Sequence, residues 1–408
     1  MLIQFPATTI QPSDISAFCT QWKVSCDKVC LSTHFLHNRT VMNNKILSIH
    51  QLRGIAALLV VLFHFRGYLN GIYAQKDLGY ILFGAGAFGV DLFFMISGFI
   101  IALSTRKKTS PLIFGIRRFF RIYPAFFIIF IIGTLTVYSN NSTQDLLRAM
   151  FFIHKDYTLA SPGFGFNILG PAWTLTYEIY FYSLFVLGMT LSHKYRVFLA
   201  SIFLLTPIII IQLAYTGSID FSGTGVPQIS LDVPMYNFIR FASSPILVEF
   251  IIGMVLYEIF TAQNVVITKS IATIIFASCI GVFLTFYFSR SNYVFGMTGF
   301  GLWSVILITG FLVYDKAGGI KESPILNYLG NISFSLYISH YLIINILDFY
   351  KPIFWVSTFG ISRLILATTL CMLVATFMYI FIEKPFITIG KKIENYLSPF
   401  PHHIPEQS

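Results

Sequence analysis

The chain has 408 residues, of which 56% are hydrophobic and only 11% charged, with a mean hydropathy of +0.74. Soluble domains carry roughly a quarter charged residues because their surface faces water, so this composition excludes a soluble globule and points to a chain in lipid. The net charge of +10, from 27 Lys and Arg against 17 Asp and Glu, does not indicate nucleic acid, because the basic residues sit in short loops between apolar runs rather than on one polar face.

Residues 1–44 differ from everything after them. They are polar and hold Cys19, Cys26 and Cys30, three of the five cysteines. Cys26, Cys30, His34 and His37 are residue types that zinc accepts, but their C-x3-C-x3-H-x2-H spacing fits no common finger, and no metal is expected. The stretch is expected to be either disordered or an upstream mis-start; the abrupt change in composition suggests a translation start at Met42, which N-terminal sequencing of the native protein would check. The stretch lacks a signal peptide's charged start and small-residue cleavage site. Cys279 and Cys371 lie in apolar runs and read as small core residues.

From residue 45 to 390 the chain reads as one all-α membrane domain, followed by a short tail, 391–408. A span needs about 20 mostly apolar residues, and about ten such runs centre near 48–68, 84–104, 119–138, 172–191, 196–214, 244–260, 268–288, 299–314, 325–348 and 357–382. Ionisable groups inside such runs are costly and by default mark function.

The first run carries Arg53 and His64, 11 residues apart. Three helical turns separate them, so they share a face about 16 Å apart along the axis. A snorkelling Arg and an unrelated packed His are the bland alternative, but a His in an apolar span needs partners for its ring nitrogens. The second run opens on Phe-Gly-Val-Asp-Leu-Phe-Phe-Met-Ile-Ser-Gly-Phe, residues 88–99. Asp91 there either caps the helix or, at the depth of His64 in an antiparallel neighbour, orients that imidazole as a carboxylate does in a triad.

Next comes a basic loop, Arg106-Lys107-Lys108, and then Arg117, Arg118 and Arg121 at the start of the third run. Arg118 and Arg121 are helical neighbours, and arginine forks suit phosphates. The fourth run begins Pro171-Ala-Trp173-Thr-Leu-Thr-Tyr-Glu178-Ile-Tyr180-Phe-Tyr182, with Glu178 about a turn and a half inside it. A hydrogen-bonded structural carboxylate is the alternative for Glu178. His340, in the ninth run, falls in the same half of the membrane as His64.

Charge orients the spans. With the N-terminus in the cytoplasm, inner loops hold 16 Lys and Arg against 8 outside, so the positive-inside rule favours both termini in the cytoplasm. His64, Asp91, Glu178 and His340 then form an outer polar layer, with Trp173, Tyr182 and His340 as its acceptor-facing or structural members. Arg53, Arg118 and Arg121 form an inner cationic layer. The largest outer loops, 139–171 and 215–243, are suited to contacting a substrate.

Six stretches in order resemble the acyltransferase 3 family of membrane-bound O-acyltransferases: Leu52–Phe65 with its Arg-x10-His, Gly89–Phe99, Arg118–Pro124, Pro171–Tyr182, Tyr328–His340 and Phe381–Phe386. Together they span nearly all of the chain beyond the N-terminal stretch. The resemblance implies about ten helices, an acyl donor such as acetyl-CoA as co-substrate with no bound cofactor, and carbohydrate acceptors such as lipopolysaccharide, exopolysaccharide or a lipid-linked glycan. It implies His64 as the catalytic histidine, Arg53, Arg118 and Arg121 as donor-binding residues, and Trp173 and Glu178 as motif residues. One departure is Thr174-Leu-Thr-Tyr-Glu178, where many relatives read closer to Ser-Leu-Ser-Val-Glu. The expected location is the plasma membrane, in a bacterium the inner membrane.

On this reading acyl-CoA docks its phosphates on the inner arginines. His64 acts as general base on the acceptor hydroxyl or becomes transiently acylated, with Glu178 or Asp91 orienting or binding. The rival reading is a multi-pass transporter using intramembrane His, Asp and Glu as proton relays. The sequence leaves the acceptor and the acyl chain open.

Overall fold

Backbone polar groups in lipid must find their partners within the protein, and a helix does this within a single segment. The computed structural model describes residues 46–229, 238–262 and 267–397, and the apolar runs are helices throughout. The long ones are α1 (Leu47–Phe65), α2 (Gly89–Ser104), α3 (Pro111–Leu135), α4 (Trp173–Leu191), α5 (Arg196–Thr216), α6 (Val248–Thr261), α7 (Lys269–Ser289), α8 (Phe300–Lys316), α9 (Pro324–Tyr350) and α10 (Gly360–Met378). Among the described residues, eight helical segments are long and apolar enough to cross a membrane; α4 and α8 are the other two of the ten runs. The Cys26–His37 cluster lies outside the described residues.

Lipid offers no hydrophobic drive for one helix to join another, so packing relies on small residues that let backbones approach. Two crossings show this. At the α1–α9 crossing a Cβ on Gly54 would stand 2.6 Å from the Gly330 nitrogen, and at the α2–α6 crossing a Cβ on Gly253 would stand 1.9 Å from the Met95 carbonyl oxygen. The start of α1 is held as well: the Ser48 backbone N–H and hydroxyl both donate to Asp315 Oδ2, at 3.0 and 2.7 Å. That contact satisfies a donor which the first turn of a helix leaves open.

The connection from α3 to α4 turns inward instead of lying wholly on the surface. After a short helix, Thr143–Met150, it buries Phe152, His154, Ser161, Phe164, Asn167 and Leu169. Tyr177 of α4 donates to the Pro162 carbonyl at 2.9 Å, tying this segment to the helix it precedes. Part of the expected outer loop 139–171 is therefore buried in the core. Of the second expected loop, 230–237 lie outside the described residues.

At its far end α10 passes through a π-helical turn, Tyr379–Glu383, into α11 (Lys384–Leu397). Arg117 Nε donates to Glu394 Oε2 at 2.8 Å while Nη2 reaches Oε1, and this fork fastens α11 to α3. Residues 391–397, expected to open the tail, are the last turns of α11.

Candidate active site

His64 sits in the last turn of α1, exposed, with its ring 5.1 Å from that of His340 and 5.4 Å from that of Tyr341, both on α9. His340 is fully buried. Its Nδ1 faces the Tyr337 carbonyl at 2.7 Å and the Leu336 carbonyl at 3.3 Å, while Nε2 has no hydrogen-bond partner. Helical geometry brings the pair together: α1 and α9 cross so tightly at Gly54 and Gly330 that their later turns stay side by side.

Arg53, three turns earlier on α1, donates from Nη2 to the Gly330 carbonyl at 2.7 Å. Arg121, Glu383 and Glu178 are near enough to act on its charge, and Arg118 feels both Arg121 and Glu178. Arg53, Arg118 and Arg121 thus lie within electrostatic range of Glu178 or of one another, leaving an excess of positive charge in a setting of low dielectric where it is felt strongly. Arg53 Nε and Arg118 Nε are buried without hydrogen-bond partners. Such a cluster suits an anionic ligand with several oxygens. Arg118 also stands over the rings of Phe114 and Tyr182, at 5.6 and 5.8 Å.

Helix α4 joins the two centres. Thr174, Glu178 and Tyr182 recur at four-residue spacing, which puts them on one helix face. Thr174 Oγ1 lies 3.0 Å from the Tyr337 hydroxyl, one turn before His340. Glu178 Oε1 accepts from Ser97 of α2 at 2.8 Å and from the Tyr182 hydroxyl. Beside this polar face, between α3 and α4, runs an open groove of about 520 Å³ lined by Phe114, Arg118, Ile122, Ile179 and Tyr182 among others.

Two expectations are corrected here, those for Asp91 and for the placement of Glu178 and Tyr182. Asp91 does not orient His64: its Oδ1 accepts from the Gly296 N–H at 2.8 Å, and its carboxyl interacts with that of Glu249, both groups being fully buried. The expected equal depth is not realised: Gly89, two residues before Asp91, lies against the Ala56 carbonyl, about two turns of α1 before His64, and the Asp91 carboxyl faces α6. Glu178 and Tyr182 belong with the arginines rather than with the histidines, since the buried connection before α4 starts that helix deeper in the protein than a surface loop would. Trp173 packs among Phe94, Phe166, Tyr177 and Phe295 and supports the start of α4.

Sequence reasoning missed Glu249, Glu383, Ser97 and Tyr337. Glu249 and Glu383 carry a legible signal, an acid within or beside an apolar run. Glu383 is almost wholly buried and accepts from Ser335 at 2.9 Å. It lies in the π-helical turn, a distortion frequent at functional sites.

The family model of an acyltransferase domain, acyltransferase 3, matches residues 46–382. The chain belongs to the acyltransferase 3 family. Among its relatives is the exopolysaccharide production protein ExoZ of Rhizobium meliloti, 25% identical over 318 residues, covering 76% of this chain and 92% of that protein. A Staphylococcus aureus protein named provisionally as an O-acetyltransferase is 26% identical over 376 residues, covering 81% of this chain. This chain spans 59% of that protein's length. The acyltransferase MdmB of Streptomyces mycarofaciens is 31% identical over 162 residues, 36% of this chain and 40% of its own. No solved structure matches the chain significantly. As a member of the acyltransferase 3 family, it is a multi-pass membrane protein of an acyltransferase class.

Proposed function

We propose that the protein moves an acyl group, acetyl in the simplest case, from acyl-CoA to a hydroxyl of a cell-surface or secreted carbohydrate. The observation that carries this reading is a single helix, α1, which holds Arg53 in a cationic cluster at one end and an exposed His64 at the other. The names of the relatives, one in exopolysaccharide production and one an O-acetyltransferase, support the acceptor class and the acetyl group. The distribution of Lys and Arg supports the Arg53 end, and both chain termini, on the cytoplasmic side of the plasma membrane.

In this mechanism the phosphates of the donor lie on Arg118, Arg121 and Arg53, and the thioester reaches toward His64. The acceptor oxygen attacks the thioester carbonyl carbon while His64 takes the hydroxyl proton. The carbon–sulfur bond then breaks, and the proton passes from His64 to the departing sulfur, leaving an ester and free CoA thiol. Glu178 holds Tyr182, over whose ring Arg118 stands, throughout.

The test combines two measurements. Mass spectrometry of surface glycans from a strain lacking the gene should show the loss of an acyl mass, and complementation with His64→Ala should not restore it. A general base contributes about 10²–10⁴-fold, so His64→Ala protein that inserts normally yet still acylates would overturn the assignment.

A further inference from the structure

Among the buried groups that the mechanism leaves without a task is His340. His340 is enclosed on every side, yet one of its two nitrogens has no partner. The other identifies the tautomer. Carbonyl oxygens only accept, so Nδ1, facing two of them, carries the proton. A neutral imidazole protonated at Nδ1 presents Nε2 as a bare lone pair. A buried acceptor left without a donor costs about 1–3 kcal/mol, a burden a fold keeps where the acceptor has a use. The nearest ring bearing an N–H is His64, 5.1 Å away between centroids.

A histidine acting as base needs one nitrogen open toward the substrate and an acceptor for the N–H on the other. In a triad a carboxylate is that acceptor. Here Asp91, the obvious candidate, is committed to Gly296 and Glu249. We propose that His340 is the positioning residue for His64: its Nε2 accepts the His64 N–H and so selects the His64 tautomer whose other nitrogen faces the acceptor hydroxyl. This rests on the reading of His64 as base. The orienting group is then uncharged, and the His64 imidazolium formed during transfer is stabilised by a dipole rather than an anion. The frame that aims it is the backbone of α9, through Tyr337 and Leu336, and beyond it the Thr174–Tyr337 contact with α4.

Three substitutions separate this role from simple packing. His340→Phe keeps the ring volume and removes both nitrogens. His340→Asn keeps a donor for the Tyr337 carbonyl but offers no acceptor at the Nε2 position. His340→Gln extends an amide oxygen toward that position. The assay uses purified full-length protein in lipid nanodiscs, acetyl-CoA as donor and an envelope glycan fraction as acceptor, and reads CoA thiol release. Orientation accounts for part of a base's contribution of about 10²–10⁴-fold. His340→Phe and His340→Asn should therefore lower kcat roughly tenfold to a hundredfold with KM for acetyl-CoA within twofold, and His340→Gln should recover most of that loss. If His340→Phe does not fold, the comparison of Asn with Gln decides alone. Equal kcat for those two, or an unchanged kcat in Phe, overturns the proposal. Loss of transfer in His64→Ala together with full kcat in His340→Phe would refute this inference only, whereas transfer retained in His64→Ala would refute the base itself.

Discussion

Ser97 of α2 and Glu178 of α4, 81 residues apart in sequence, meet at 2.8 Å, and the Tyr182 hydroxyl shares the same carboxylate oxygen. This contact holds α2 to α4, and Arg118 of α3 stands over the Tyr182 ring at 5.8 Å. It makes Glu178 an organiser of the cationic site, since Arg118 lies over the Tyr182 ring and feels the charge of the carboxylate.

Truncating that carboxylate should therefore cost stability before it costs chemistry. Glu178→Ala leaves two hydroxyl donors without their acceptor, a loss of about 1–3 kcal/mol. Glu178→Gln keeps an acceptor oxygen and should lose less. Thermal unfolding of the detergent-solubilised proteins checks this, and identical midpoints for Ala and Gln would contradict it.

Arg118→Ala should raise KM for acetyl-CoA about tenfold to a hundredfold, the equivalent of a hydrogen bond to a charged group at about 1.5–3 kcal/mol. The maximal rate should fall much less. Arg118→Lys keeps the charge but not the planar fork, so its KM should lie between those of wild type and Ala. Steady-state kinetics against acetyl-CoA concentration supply the comparison, and an unchanged KM in Arg118→Ala would remove Arg118 from the donor site.

Two glycines in the helices should respond to alanine in opposite directions. Gly253→Ala, at the α2–α6 crossing, would push a Cβ to within 1.9 Å of the Met95 carbonyl oxygen, forcing the helices apart at a cost of about 1–3 kcal/mol. Gly281, on α7, would hold a Cβ in open space, with nothing within 4 Å of it. Replacing it with Ala removes backbone freedom from the unfolded chain and should stabilise by about 0.5–1 kcal/mol. Paired unfolding midpoints decide the matter, and a destabilised Gly281→Ala would show that lipid-facing helix positions follow other rules.

Thr174 tests the link between α4 and α9. Thr174→Ser keeps the hydroxyl that meets Tyr337 and should be close to neutral. Thr174→Val keeps the shape, removes the hydroxyl and should cost about 0.5–1.5 kcal/mol, because Tyr337 retains its bond to the Pro171 carbonyl. Equal stability of Ser and Val variants would place the hydroxyl outside the packing of these helices.

Much of the architecture is legible in the sequence because lipid leaves the chain few choices. The runs of apolar residues become helices where they are expected, and the Arg53–His64 spacing on one helix puts Arg53 on the Gly330 carbonyl and the His64 ring beside that of His340. Pairings between helices are another matter. Depth along a span can be counted from sequence, but rotation about its axis depends on which neighbour the glycines admit. Asp91 shows this, since it faces Glu249 on α6, and it also lies deeper than the count gave, Gly89 beside it packing against Ala56 about two turns before His64. Glu178 escapes the depth count for a different reason, because counting from a loop assumes that the loop lies at the surface. The four-residue repeat of Thr174, Glu178 and Tyr182 is present in the sequence and is enough to show that these residues share a face.

Helix α1 is fixed at three levels: at its start by Asp315, at Gly54 by the backbone of α9, and at its end beside His340. Between the last two levels it works as a ruler of fixed length. Inserting one residue between Gly54 and His64 would lengthen it by only about 1.5 Å but swing the imidazole about 100° around the axis. The interval thus tolerates changes in what its residues are far better than changes in how many there are, and the distance between Arg53 and His64 is set in whole residues.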